Sequence, residues 1–316
     1  MLPAGETLRP RSTATVILVQ RSPLTRRHAL AAIGATAAGA VIMSGCRSQG
    51  SATVEAGDAA TLAYRLVAAY PTGIPYVAAG SQVRLPFQLA GADGQIIDDL
   101  PDPFEVRIWR DNQPVGDAVA ARPQSDGIST YLTLLTQFDA AVDYELRAEF
   151  DGVPLLATVR VARPQMVATP PVGAVMPSTA TATNDATLDV DPICTLSPEC
   201  PWHAVSLDAA LGSGSPVALI IGSNVYCLDD RCGPSLRSFV AVAGEFPTVT
   251  AIHAEPFRNP KVGDFPDDTG ETEVTKRLGV EWEPATFFVD RSGIIAARAD
   301  GIVGSDELRS LFAQIA

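Results

Sequence analysis

The sequence predicts a multi-domain chain in which an all-β sandwich is followed by an α/β domain. Between residues 61 and 163, short runs rich in β-branched and aromatic residues are separated by Asp-Gly, Pro and Asn turn signals. After Ser215 the pattern changes to continuous apolar runs separated by amphipathic stretches, with two cysteines following the first run. Between the two regions lies Arg163 to Asp191, made largely of Pro, Thr and Ala with few large apolar side chains. Such a composition buries too little surface to offset the entropy of ordering, so residues 164–191 are expected to form a linker. A chain of 316 residues is about two domains' worth, and 47% hydrophobic content at 19% charged excludes general disorder.

The chain opens with an address. Thr25-Arg26-Arg27-His28-Ala29-Leu30 precedes an uncharged run of small and apolar residues that ends at Met43-Ser44-Gly45-Cys46. A basic region, a mildly apolar region and small residues before a cysteine have the order of an export signal, and the run falls short of the ~20 apolar residues that span a bilayer. Its last four residues resemble a bacterial lipobox, which implies an acylated Cys46, and the paired arginines resemble a twin-arginine export signal. Residues 1–46 are therefore expected to be the signal with its lipobox, and residues 47–60, small and polar, a tether. The protein would be held to the lipid bilayer through Cys46, facing the extracytoplasmic side. Arg9, Arg11, Arg21, Arg26 and Arg27 against Glu6 give this segment +4 of the total charge of -13, leaving -17 on the remainder. So acidic a body repels phosphate backbones, and nucleic acid is not an expected partner.

Within residues 61–163 the alternation is clearest in Phe104-Glu-Val-Arg-Ile-Trp109 and Tyr144-Glu-Leu-Arg-Ala-Glu-Phe150, as in a sheet with one buried and one wet face. Several such strands at short spacing suggest an antiparallel sandwich similar to immunoglobulin-like domains. The region has no cysteine, so the Cys…Trp…Cys spacing of antibody domains is absent, and Trp109 is expected to pack against its own sheet. No cluster of His, carboxylate or Ser-His-Asp type occurs here, and no chemistry is assigned to it.

In residues 192–316 the first candidates are Cys194 and Cys200, which enclose five residues including Pro198. Outside the cytoplasm a structural disulfide closing this small loop is the expected state. His203 follows Cys200 by three positions, and Cys-x2-His can serve zinc or copper. Further ligands would have to come from His253 and the second cysteine pair, so no metal and no cofactor is assigned. Ser206 to Leu211 reads as a capped short helix, and Val217 to Ile221 as a strand buried on both faces. Cys227 and Cys232 follow in Tyr226-Cys-Leu-Asp-Asp-Arg-Cys-Gly-Pro-Ser235. On a continuous helix, positions five apart diverge by about 140°, so Leu228 to Arg231 must loop for the pair to close, with a helix starting near Pro234. The remaining elements are a strand ending at His253, an acidic loop from Glu255 to Gly270, Pro284, strands at Ala285–Asp290 and Ile294–Arg298, and a helix from Ser305 to Phe312.

Strand, cysteine pair, helix, strand, loop, helix, proline, hairpin, helix: this order resembles the thioredoxin fold, over about the last 125 residues. In detail it resembles the membrane-tethered thiol-disulfide oxidoreductases of bacteria. The resemblance implies that Cys227 attacks, Cys232 resolves and Pro284, in cis, lines the substrate groove. A helix N-terminus at the pair would stabilise a thiolate, while Asp229 and Asp230 would oppose it. The family carries Cys-x2-Cys where this chain has Cys-x4-Cys, and Tyr226 stands where a tryptophan is usual. A second alignment sets Cys232-Gly-Pro-Ser235 on the family's Cys-Gly-Pro-Cys, with Cys232 attacking and Ser235 in the resolving place. The implied reaction is thiol-disulfide exchange with cysteine-containing extracytoplasmic proteins, without a diffusible cofactor. Two alternatives stay open: a redox-inactive scaffold with both cysteine pairs structural, and copper handling by Cys227, Cys232 and a histidine.

Overall fold

The computed structural model describes residues 63–225, 232–260 and 270–316. The export signal, Cys46, the tether, Cys227 and residues 261–269 of the acidic loop lie outside them. Among the described residues no helix is long and apolar enough to cross a membrane.

Among the described residues nine strands come first: β1 (Tyr64–Ala68), β2 (Val77–Ala78), β3 (Gln82–Gly91), β4 (Phe104–Arg110), β5 (Gln113–Pro114), β6 (Val119–Ser125), β7 (Thr130–Gln137), β8 (Asp143–Phe150) and β9 (Val153–Ala162). One antiparallel layer runs β1-β3-β7-β6. The other runs β4-β8-β9, with β5 on β4 and β2 parallel to β9, and a short β4 to β6 pairing joins the layers. Alternation sets the faces: on β4, Phe104, Val106 and Ile108 are buried while Glu105 and Arg107 are exposed. These residues meet Leu85, Leu89, Leu134, Tyr144 and Leu146 in one core, each large apolar side chain contributing about 1.5–3 kcal/mol of burial. Trp109 packs beneath its neighbour, the Arg147 guanidinium lying 4.1 Å from the ring centre.

The second part contains α1 (Leu207–Gly212), β10 (Val217–Ile221), α2 (Cys232–Ala243), β11 (Thr250–Ala254), α3 (Glu273–Arg277), β12 (Ala285–Val289), β13 (Ile295–Asp300) and α4 (Ser305–Ala313). Its sheet runs β11-β10-β12-β13, with β10 parallel to β11 and antiparallel to β12. All five residues of β10 are buried. Ala218 and Ile220 pack with Leu236, Phe239 and Phe312 of α2 and α4, whereas Val217, Leu219 and Ile221 pack with Leu207, Val274 and Leu278 on the opposite face. A strand covered on both sides needs apolar residues at every position, which explains the unbroken run. The register brings Ile221 beside Ala254 and Ala285, so the ends of β10 and β11 and the start of β12 share one edge.

Residues 164–191, expected as a linker, are laid along this domain. The Gly173 N–H donates to Ile295 O at 2.9 Å, Ile295 N–H to Ala174 O at 2.9 Å and Met176 N–H to Gly293 O at 2.8 Å. Met176 and Val190 are each 3% exposed. The segment is ordered by main-chain pairing against the rim of β13 and by a few anchors, contributions that a count of apolar side chains leaves out.

Candidate functional site

Cys232 is the first residue of α2, two positions before Pro234, and it is buried and disulfide-bonded. Cys194 and Cys200 are free, so its partner is not among the described residues. The peptide bond between Glu283 and Pro284 is cis. Pro284 abuts the end of β10 closely enough that a Cβ on Gly222 would lie 3.0 Å from its own Cβ. The Gly301 N–H donates to Pro284 O at 2.8 Å, and the Ser235 hydroxyl, in the first turn of α2, donates to Gly301 O at 3.3 Å. The start of α2 and the cis-proline turn are thus tied to each other through Gly301.

Beside this edge four side chains converge that lie far apart in sequence. His253, fully buried on β11, has its Nε2 2.9 Å from Gly222 O, so Nε2 carries a proton and donates it to that carbonyl, leaving Nδ1 to face the cluster. That Nδ1 is 3.3 Å from His203 Nε2, 3.4 Å from Cys200 Sγ and 3.7 Å from Cys194 Sγ. Cys200 Sγ is also 3.2 Å from His203 Nε2. The four donor atoms all lie within 4.8 Å of one another, and all four residues are buried. The segment carrying Cys194, Cys200 and His203 is pinned at Trp202, whose carbonyl accepts the His253 N–H at 2.9 Å and whose indole donates to Val240 O at 3.2 Å.

Two carboxyl groups frame the cluster. Glu255 Oε1 accepts from Thr195 N and Oγ1 at 2.7 and 2.6 Å and lies 3.8 Å from His253 Nε2. Burial holds Glu255 above the ordinary carboxyl range, with His253 and the Thr195 contacts pulling the other way. Glu283 accepts the Ser223 N–H at 3.3 Å, and burial, assisted by Glu255 and Glu271, pushes it up to about 8. Cys194 is held below the ordinary thiol range, first by a hydrogen bond from Cys200 and then by the two imidazoles, while the same pairing and burial push Cys200 up.

Of the residues singled out from sequence, Pro284 is tied through Gly301 to the first turn of α2, the helix that Cys232 opens, and Cys227 and Cys46 lie outside the described residues. The expected Cys194–Cys200 bridge is corrected: both thiols are free, drawn toward a shared centre with two imidazoles. The sequence assigned no metal, yet the structure assembles a complete Cys2His2 donor set. His203 was visible in the Cys-x2-His spacing. His253 joins it where its N–H donates to Trp202 O, and the two are two of the chain's three histidines.

No protein-family profile matches the chain, and no curated protein does. Solved structures it resembles include a thiol:disulfide interchange protein DsbE from Chlorobium tepidum, at 18% identity over 46% of this chain and 94% of that one, TM-score 0.31. A second thioredoxin-family interchange protein from Chlorobium tepidum TLS is 13% identical over 45% of this chain and 96% of that one, TM-score 0.27. The titin immunoglobulin tandem A164-A165 is 15% identical over 32% of this chain and 49% of that one, TM-score 0.21. The neighbours thus include both thioredoxin-family proteins and immunoglobulin domains.

Proposed function

We propose that the chain is an extracytoplasmic, lipid-anchored protein in which an immunoglobulin-like sandwich carries a thioredoxin-like domain. That domain exchanges disulfides with cysteine-containing partner proteins through Cys227 and Cys232. The observation that carries this reading is a disulfide-bonded Cys232 opening α2, joined through Gly301 to the cis-Pro284 turn. Burial of Cys232 suits a resolving cysteine, which has to be reached only by its partner sulfur. In the reducing direction the Cys227 thiolate attacks one sulfur of a partner disulfide, forming a mixed disulfide and releasing the partner's other sulfur as thiolate. The Cys232 thiolate then attacks Cys227 Sγ, and the partner leaves with two thiols while the pair becomes the disulfide. The oxidising direction is the same path reversed, and the reduction potential of the pair selects between them.

The test is a titration of the full-length chain in glutathione buffers with Cys227 and Cys232 followed by alkylation, together with a Cys232→Ser variant. Exchange predicts a potential above about -300 mV and a trapped mixed disulfide on Cys232→Ser. A potential below about -300 mV with no disulfide turnover would leave the bridge structural and the domain a scaffold. Fractionation of a Cys46→Ser variant checks the anchor: it should leave the membrane fraction.

A further inference from the structure

We propose that Cys194, Cys200, His203 and His253 form a closed tetrahedral site for a thiophilic d10 cation, zinc, which fastens the 194–203 segment to the sheet. The spacing of the donors carries the inference. Zinc bonds of about 2.3 Å to sulfur and 2.0–2.1 Å to nitrogen, at tetrahedral angles, separate sulfur from nitrogen by about 3.6 Å and nitrogen from nitrogen by about 3.3 Å. Three of the four sulfur to nitrogen distances are 3.2, 3.4 and 3.7 Å, the nitrogen to nitrogen distance is 3.3 Å, and all four donor atoms lie within 4.8 Å of one another.

Hydrogen bonding among the four groups does not account for this geometry. With the His253 Nε2 proton directed at Gly222 O, three polar groups crowd the one hydrogen-bonding position on Nδ1. A single ring nitrogen makes one good hydrogen bond, as donor or as acceptor, whereas a central cation takes one lone pair from each of four donors at once. Two thiolates and a dication also sum to zero charge, and a neutral centre is what a fully buried pocket tolerates. Two sulfurs and two imidazoles in tetrahedral array select zinc among common divalent ions, and four protein donors with no open position make the site structural.

The surroundings supply outer-shell partners of the usual kind. His253 is oriented by Gly222 O, and the Cys200 N–H points to Cys194 Sγ at 3.3 Å. The outer nitrogen of His203, Nδ1, is buried without a partner, so His203 is the donor held least firmly. Thr195, next to Cys194, receives the Asn224 N–H at 2.8 Å on its hydroxyl. The ion would therefore hold the chain that receives Asn224, three residues before Cys227. The site stands on its own residues and is independent of disulfide exchange.

The full-length chain, purified anaerobically with reductant, is offered Zn2+ and then Co2+ alone. We expect one zinc per chain by elemental analysis, thiolate-to-cobalt charge transfer with the d–d bands of tetrahedral Co2+, and a higher Tm with Zn2+ than after chelation. Stoichiometric metal should be lost in Cys200→Ala and His253→Ala and kept in a Cys227→Ser/Cys232→Ser double variant. Should the ligand variants fail to fold, the Co2+ spectrum and the Tm shift of the unaltered chain decide. Absence of stoichiometric zinc with both thiols reduced, or a Cys194–Cys200 disulfide in chain isolated without reductant, would overturn the site. Zinc retained in a Cys200→Ala/His253→Ala variant would do the same.

Discussion

Arg84 of the sandwich and Glu307 of the closing helix form a buried two-pronged ion pair across the two parts of the chain: Nε to Oε1 is 2.6 Å and Nη2 to Oε2 is 2.7 Å. The guanidinium also donates to Asp300 O at 3.1 Å, and the Tyr131 hydroxyl donates to Glu307 Oε2 at 2.7 Å. Every charge in this junction is answered, so removing one member strands the other in a dry place. Glu307→Gln or Arg84→Met is expected to cost about 3–5 kcal/mol, and a matched Arg84→Met/Glu307→Leu pair much less. Chemical denaturation of the three variants measures it. A loss in the double variant equal to the sum of the two single losses would mean that the two side chains are not coupled.

The same junction depends on a missing side chain. A Cβ on Gly304, the residue that caps α4, would sit 1.8 Å from Ser125 O of the sandwich, while the Gly304 N–H donates to the Tyr131 hydroxyl at 2.7 Å. Main-chain oxygen cannot swing aside as a side chain can. Gly304→Ala should therefore separate the two parts, at a cost of about 1–3 kcal/mol or more. In a melt it should split or broaden a transition that is single in the unaltered chain. Gly73→Ala, with open space around the position, serves as the control and should stay within about 0.5 kcal/mol.

If residues 164–191 belong to the folded body, their anchor has to matter. Met176, 3% exposed among Leu207, Val289 and Ile295, is the anchor to remove. Met176→Ala should cost about 2–5 kcal/mol, as for other buried large-to-small changes. A free tether would give a change near zero and early proteolytic cutting within the segment.

The strands were legible where one rule decides the pattern. Alternation in Phe104 to Ile108 and the unbroken Val217 to Ile221 run report one-sided and two-sided burial, and both were readable without coordinates. Pro284 before its strand was readable too. The course of residues 164–191 was not, because main-chain pairing with Ile295 leaves no mark on side-chain composition. The Cys2His2 cluster was half readable. Cys194 and the Cys200-x2-His203 spacing announce three donors, but the fourth arrives where the His253 N–H meets Trp202 O, and an assumption about compartment turned the cysteines into a bridge. Arg84 and Glu307, 223 positions apart, carry no sequence signal of their meeting.

Glu283, on the turn before Pro284, gives the fold a pH signature. Burial is the main cause that pushes its pKa from 4.5 up to about 8, and Glu255 and Glu271 add to it. Between those values the folded chain keeps a proton that the unfolded chain has released. Stability from this group is therefore complete below pH 4.5, declines as pH rises, and levels off above about 8. The slope it contributes is at most about 1.4 kcal/mol per pH unit. Glu283→Gln keeps the neutral shape and the contact with Ser223, so its stability should fall less steeply across that window. Denaturation midpoints of both proteins through the window give the comparison. Parallel curves would mean that Glu283 is ionised in the folded chain, with solvent or an unseen cation beside it.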